Sequence, residues 1–185
     1  MPVLCRLPRE AAFLLRSYLQ KGAVFMSIRC AAKAIIIRDG CVLLNRCTHT
    51  DGRIYYDLPG GGQRQYETLE DAVRREVLEE TGYAVNSLRF AALAEEIYTH
   101  PRMREAHPGY AHCIFHIFLA EIEEGQRSIP SEPDRFMLES VFIPIEDIPS
   151  LPETRPPSLK SSLSGIIAGQ SPIFLGTAFL DWEEP

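Results

Sequence analysis

The sequence predicts an α/β fold, on three observations. Two β-rich runs flank an Asp-Gly turn signal, an amphipathic helix with both ends marked follows a glycine triplet, and a later segment alternates regularly between two faces. The bulk composition agrees: 185 residues, 45% hydrophobic and 24% charged, suit one globular domain with its own core. A net charge of −6 makes a nucleic-acid backbone a poor partner, and none is expected. No stretch approaches the ~18 uninterrupted apolar residues of a membrane span, so no membrane partner is expected either. The cysteines, at positions 5, 30, 41, 47 and 113, are odd in number and contain no C-x-x-C pair. That argues against a disulfide framework and for a reducing cytoplasm.

Residues 1–25 read as a helical appendage, with Ala11, Leu14, Leu15 and Tyr18 on one face. Their apolar part is too short and too charged for a signal peptide, and Glu10 counts against a transit peptide despite Arg6, Arg9, Arg16 and Lys21. The catalytic domain is expected over 26–185, with 1–25 dispensable for catalysis.

Residues 30–37 and 41–47 are the two β-rich runs, joined by Arg38-Asp39-Gly40 as an antiparallel hairpin. Arg46 ends the second run before a polar loop, where it either faces a phosphate or is a surface charge. Tyr55 and Tyr56 follow; one of them stacks on a base, or both belong to the sheet core. Then come Gly60, Gly61 and Gly62. Glycines let the main chain approach a ligand closely, so that their N–H or C=O groups can meet a phosphate or a metal.

The helix is expected from about Leu69 to about Thr81. Thr68 with Asp71 is close to a capping box, Glu70 and Asp71 suit a first turn, and Gly82 is placed as a C′ glycine. At roughly 100° per residue, Leu69, Ala72, Val73 and Val77 share one side. Further along that side the residues become Glu76, Glu79 and Glu80. An ordinary solvated acidic face would lie opposite the apolar stripe. Carboxylates in a last turn oppose the macrodipole by roughly 0.3–1 kcal/mol each, so three turned toward a core edge need cations. Arg75 neighbours Glu79 around the helix, but one guanidinium does not neutralise three carboxylates. Oxygen-only ligands point to a hard divalent ion such as Mg²⁺.

The run Gly61, Glu67, Arg75-Glu76-Val77, Glu79-Glu80 and Gly82-Tyr83, with its spacing, resembles a complete Nudix box. The resemblance implies a Nudix fold, an α/β/α sandwich around a mixed β-sheet. It also implies metal-dependent hydrolysis of a nucleoside diphosphate linked to another group X: a nucleoside triphosphate, ADP-ribose, a dinucleoside polyphosphate or a nucleotide sugar. By the same resemblance Gly61, through its carbonyl, Glu76, Glu79 and Glu80 bind Mg²⁺, with Mn²⁺ as a substitute. Arg75 and Glu67 orient them, and Glu76 is the first choice to take the proton of the attacking water. Glu67 does not follow from periodicity, and a solvated N-terminal charge is its alternative. Gly60, Gly62, Arg46 and Tyr56 are the expected substrate contacts, and the partner is a small nucleotide-type molecule.

After the box, 88–98 reads as a strand with Glu95 and Glu96 near its end, and 99–109 (THPRMREAHPG) as a polar loop that can close over substrate. In 110–119, Ala111, Cys113, Phe115, Ile117 and Leu119 face one way, and Tyr110, His112, Ile114, His116 and Phe118 the other. His112 and His116 therefore share a face, as sheet histidines or as cleft lining; a transition-metal site would need further ligands that the sequence does not identify. A polar loop over 125–135, a short strand at 141–143, a helical turn at 146–148, an outer helix at 158–168 and the apolar run 173–180 complete the chain. That last run packs on the domain, adds a strand or forms a homodimer contact. Glu132, Asp134 and Glu139 are candidates for a further site carboxylate. Two other activities are compatible with the same fold: a catalytically silent nucleotide-binding module, and an isomerase that would need a cysteine in its pocket.

Overall fold

The computed structural model describes residues 28–181 except 124, 126, 132–134, 170 and 171. The expected helix in 1–25 and the candidates Glu132 and Asp134 lie outside the described residues. The first strand, β1 (Arg29–Arg38), turns through Asp39 and Gly40, both at positive φ (51° and 73°), into β2 (Cys41–Thr48). This is the twist-matched hairpin that Asp-Gly favours. The two strands pair only beside the turn, at Ile37–Val42 and Arg38–Cys41, and then splay apart. The free edge of β1 is taken by β4 (Gly60–Gly62), so the glycine triplet is a three-residue strand rather than an open loop.

Splaying divides the sheet into two lobes. On one side β1 runs parallel to β6 (His112–Ile122), β6 pairs with β5 (Val85–Tyr98), and β5 pairs in turn with β9 (Ile173–Leu180). On the other, β2 pairs with β7 (Met137–Pro144) and with β3 (Ile54–Asp57), and β3 carries the two-residue β8 (Thr154–Arg155). The apolar run 173–180 thus adds a strand, and β7 extends well beyond the expected 141–143 because β2 templates its whole length.

The alternation of β1 decides the layers. Ala32, Ala34 and Ile36 point to α1 (Leu69–Thr81) and meet its Ala72, Val73 and Val77, together with Phe118 and Ala120 of β6. Ile35 points the other way, into a second core with Ile148 and with Leu159, Leu163 and Ile166 of α3 (Leu159–Ile167). The mixed sheet is therefore sandwiched between α1 and α3, the α/β/α arrangement anticipated from the sequence.

A further segment departs from expectation. Within 99–109 the chain forms a short helix, α2 (Pro101–Ala106), with its proline at the helix start. Proline suits that position because its missing N–H has no helical partner to lose. Met103 anchors the helix, buried against Tyr98 and Ala111.

Candidate active site

Helix α1 presents the site, and its ends are fixed by the residues the sequence marks. Thr68 Oγ1 accepts from the Asp71 N–H at 3.1 Å, a cap worth ~1 kcal/mol. Gly82 closes the other end at φ 74°, donating to the Leu78 carbonyl. A methyl group at Gly82 would lie 2.0 Å from the Ser128 carbonyl oxygen, because residues 127, 128 and 131 pack directly on this end. There Arg127 Nε donates to the Thr81 carbonyl at 2.6 Å and the Ser131 N–H to that of Glu79 at 3.0 Å, filling carbonyls a helix end leaves open.

Arg75 organises the acidic face. Its Nε and Nη2 clamp Glu67 at 2.6 and 2.8 Å, Nη1 donates to Glu76 at 2.6 Å and Glu79 at 3.1 Å, and Nη2 also reaches the Gly62 carbonyl at 3.0 Å. Planar fork geometry makes this possible for arginine and not for lysine. The Arg75 hydrogen bonds hold the Glu67 carboxyl down to about 2, and Glu67 in turn accepts from the Arg64 N–H at 2.8 Å. The Gly62 end of the glycine strand is thereby tied to the helix.

Glu80 is buried in a different setting. Its Oε2 accepts from Asn45 Nδ2 and from the Gly60 N–H, each at 2.8 Å, and Asn45 is held by Ser140 at 2.8 Å. Burial pushes the Glu80 carboxyl up to about 7, against the opposing pull of Lys33 and the Gly60 N–H. A carboxylate desolvated to this degree gains most from a cation.

The glycines explain why a side chain is excluded here. A Cβ at Gly61 would lie 2.5 Å from Glu76 Oε2, and one at Gly62 would lie 2.6 Å from an Arg29 guanidinium nitrogen. Gly60, at φ 129°, presses against the Ala32 carbonyl oxygen, 2.2 Å from where its Cβ would be. Each glycine hands its missing side-chain volume to a different neighbour.

These residues line one cleft of about 570 Å³ that contains Gly60, Gly61, Gly62, Arg64, Glu76, Glu79 and Glu80. Arg46 and Tyr56 are not among its lining residues. Arg46 pairs with Glu139 at 3.2 Å on the protein surface, and Tyr56 packs against the α3-side core; Tyr55 lines the cleft instead. Glu139 is likewise outside the cleft. The cleft also gathers residues the sequence reading passed over: Arg29, Lys33, Asp57, Glu96 and Arg155. Lys33 is buried and donates to Asp57 Oδ2 at 2.8 Å and the Leu58 carbonyl at 3.0 Å. A lone lysine inside the apolar run CAAKAIII was the available signal. Cys47 and Cys113 line the cleft too; burial raises the Cys113 thiol to about 11, and it donates to the Tyr110 carbonyl on its own chain segment. No disulfide joins Cys30, Cys41, Cys47 and Cys113. His112 is bound to Glu95 at 2.7 Å and is not among the cleft-lining residues.

The donor set of Gly61, Glu76, Glu79 and Glu80 fits a hard divalent ion in chemistry, since all its atoms are oxygens and Glu76 lies against Gly61 in the space a Cβ would fill. As they stand, Glu76 and Glu79 gather around Arg75, while Glu80 turns to Asn45. Among the described residues no three acidic, histidine or cysteine side chains converge on a point that could hold a metal.

A family model for the NUDIX domain matches residues 28–163. The chain belongs to the Nudix family. Among solved structures it is similar to a NUDIX hydrolase from Nitrosomonas europaea, at 19% identity and TM-score 0.63, covering 78% of this chain and 91% of that one. It is also similar to a MutT NUDIX hydrolase from Burkholderia pseudomallei, at 27% identity and TM-score 0.56, covering 72% and 95%. An ADP-ribose pyrophosphatase from Streptococcus suis aligns at 21% identity and TM-score 0.54, covering 80% and 99%. No curated protein matches the sequence. No helix of the described residues is long and apolar enough to cross a membrane.

Proposed function

We propose that the protein is a Mg²⁺-dependent hydrolase that cleaves the diphosphate linkage of a nucleoside diphosphate bonded to a further group X. The observation that carries this reading is the cleft in which Glu76, Glu79 and Glu80 of α1 face the glycine strand, in a chain of the Nudix family. Gly61, Glu76, Glu79 and Glu80 would hold the ion, Mg²⁺ or Mn²⁺. A divalent ion supplies neutralisation of the diphosphate and acidification of the attacking water.

The chain's own groups do the rest. Arg29 and Arg64, at the cleft beside Gly62 and Glu79, bind and orient the phosphates, as fork-shaped donors do well. Glu76 accepts the proton of the water that attacks phosphorus, and Arg75 positions Glu76 and Glu79 for their roles. Glu67 fixes Arg75. The N–H of Gly60 and the amide of Asn45 orient Glu80. A soluble enzyme of the reducing cytoplasm, with 1–25 outside the catalytic domain, is the setting consistent with this chemistry.

The test is product release from nucleoside triphosphates, ADP-ribose, dinucleoside polyphosphates, NADH and nucleotide sugars. Each is assayed with Mg²⁺, with chelator, and with a Glu79→Gln/Glu80→Gln double variant. Metal-dependent turnover that the variant loses supports the assignment. Folded protein that binds nucleotide yet turns over none of these would instead favour a silent binding module.

A further inference from the structure

The cleft extends well past the glycine strand. From β4 it crosses β1 and β6 to β5, three strand spacings or about 14 Å. On β5, Glu96 lies in the inward alternation with Ala94 and Tyr98 and is 4% exposed. Its Oε1 is buried and has no hydrogen-bond partner among the described residues. Asp57, at the end of β3, lines the same cleft. One of its oxygens is bound by Lys33, while Oδ1 is buried and lacks a partner among the described residues.

Buried carboxylate oxygens without donors are uncommon, because each forfeits hydration with nothing in exchange. Burial accordingly pushes the Glu96 carboxyl up to about 7 against the opposing charge of Arg155. Glu96 and Asp57 both line one cleft, and their two unmet oxygens define what is missing: a ligand group carrying N–H or O–H donors. Lys33 and Arg155 line the cleft beside these two carboxylates and balance their charge, so nothing there favours an anionic group, and an apolar one would leave both oxygens unsatisfied. The phosphates belong with the cations near Gly62, so the donor-bearing group that Glu96 meets is the part of the substrate farther along the cleft, with Asp57 nearer the glycine strand.

We propose that Glu96, assisted by Asp57, determines substrate specificity by accepting hydrogen bonds from N–H or O–H donors on the nucleoside or on the group X, and so selects substrates that are donor-rich at that end. Sugar hydroxyls and the exocyclic amine of a base share this chemistry. The inference rests on the reading of the cleft as a diphosphate hydrolase site.

It is tested with substrates turned over by the full chain, each compared with two series of analogues. One series lacks single sugar hydroxyls and the other lacks the base amine. The wild type should lose roughly 10- to 100-fold in kcat/KM in one series, the size of the loss when a buried acceptor is left unsatisfied, and that series identifies the donor as sugar or base. In Glu96→Gln the same discrimination should shrink several-fold. Wild-type discrimination below twofold in both series overturns the proposal whether or not the variant folds. So does a folded variant that keeps the wild-type discrimination. Metal-dependent turnover with either of those results refutes the specificity role alone, whereas wild-type protein that hydrolyses no substrate refutes the hydrolase reading and this inference together.

Discussion

Replacing Gly61 by alanine should separate the fold of the site from its chemistry. Gly61 has no positive φ, so the backbone accepts alanine, but the new Cβ would stand 2.5 Å from a carboxylate oxygen of Glu76. Ordinary van der Waals contact begins near 3.4 Å, so the carboxylate must retreat by 3.4 − 2.5 = 0.9 Å. The far end of a flexible side chain can make that move at small cost in stability. A displacement of about 1 Å in a catalytic group costs on the order of 10²-fold in rate. Gly60→Ala is the contrasting case: its Cβ would meet the Ala32 backbone oxygen at 2.2 Å, with φ at 129°. That strain has no flexible partner to absorb it and should cost stability by about 1–3 kcal/mol or more. Steady-state turnover and urea unfolding of both variants provide the readout. Gly61→Ala should unfold like the wild type and turn over poorly; a Gly61→Ala enzyme with wild-type turnover would refute the contact between Gly61 and Glu76 as a functional one.

Further outcomes follow from the same geometry. Glu80→Gln should keep the fold, since an amide can still accept from Asn45 or Gly60, and should lose most turnover; near-normal turnover would exclude Glu80 as a key ligand. Arg75→Lys should reduce turnover by at least tenfold, because an ammonium cannot reproduce the paired contacts to Glu67 together with those to Glu76 and Glu79, and steady-state kinetics would expose an intact site if the loss is absent. Glu96 is raised in the folded protein from 4.5 to about 7, so its contribution to stability is fully present below pH 4.5 and is lost as pH rises through 7. That loss is at most about 3 kcal/mol. In urea unfolding without ligand, Glu96→Gln should therefore gain on the wild type between pH 4.5 and 8, and a constant difference across that range would contradict the burial argument. A chain beginning at Met26 should fold and retain activity, as circular dichroism and turnover would show.

Much of this was legible in the sequence because local signals marked it. Thr68, Gly82 and the apolar stripe fix α1 residue by residue, and Asp39-Gly40 fixes the hairpin. The alternation of 110–119 fixes which residues of β6 face each layer. What escaped the reading depends on partners distant in sequence. Arg46 looks like a phosphate contact until β7 brings Glu139 beside it, and Tyr55 and Tyr56 exchange roles because strand parity at a four-residue strand is set by β2 and β8. Glu96 reads as one of two adjacent acids, and only the pairing of β5 with β6 shows that it points inward while Glu95 binds His112. The helix Pro101–Ala106 was hidden because six residues are too few to form a stable helix alone, however good their propensity, and its stability depends on Met103 packing on Tyr98.

The central claim is that the α1 carboxylates and the glycine strand together hold a divalent ion for hydrolysis. Titration of Mn²⁺ into the metal-free protein, followed by electron paramagnetic resonance, tests it most directly. Saturable Mn²⁺ binding that Mg²⁺ competes away, and that Glu79→Gln/Glu80→Gln abolishes along with turnover, is the predicted result. Equal Mn²⁺ binding by the wild type and a folded double variant would contradict it.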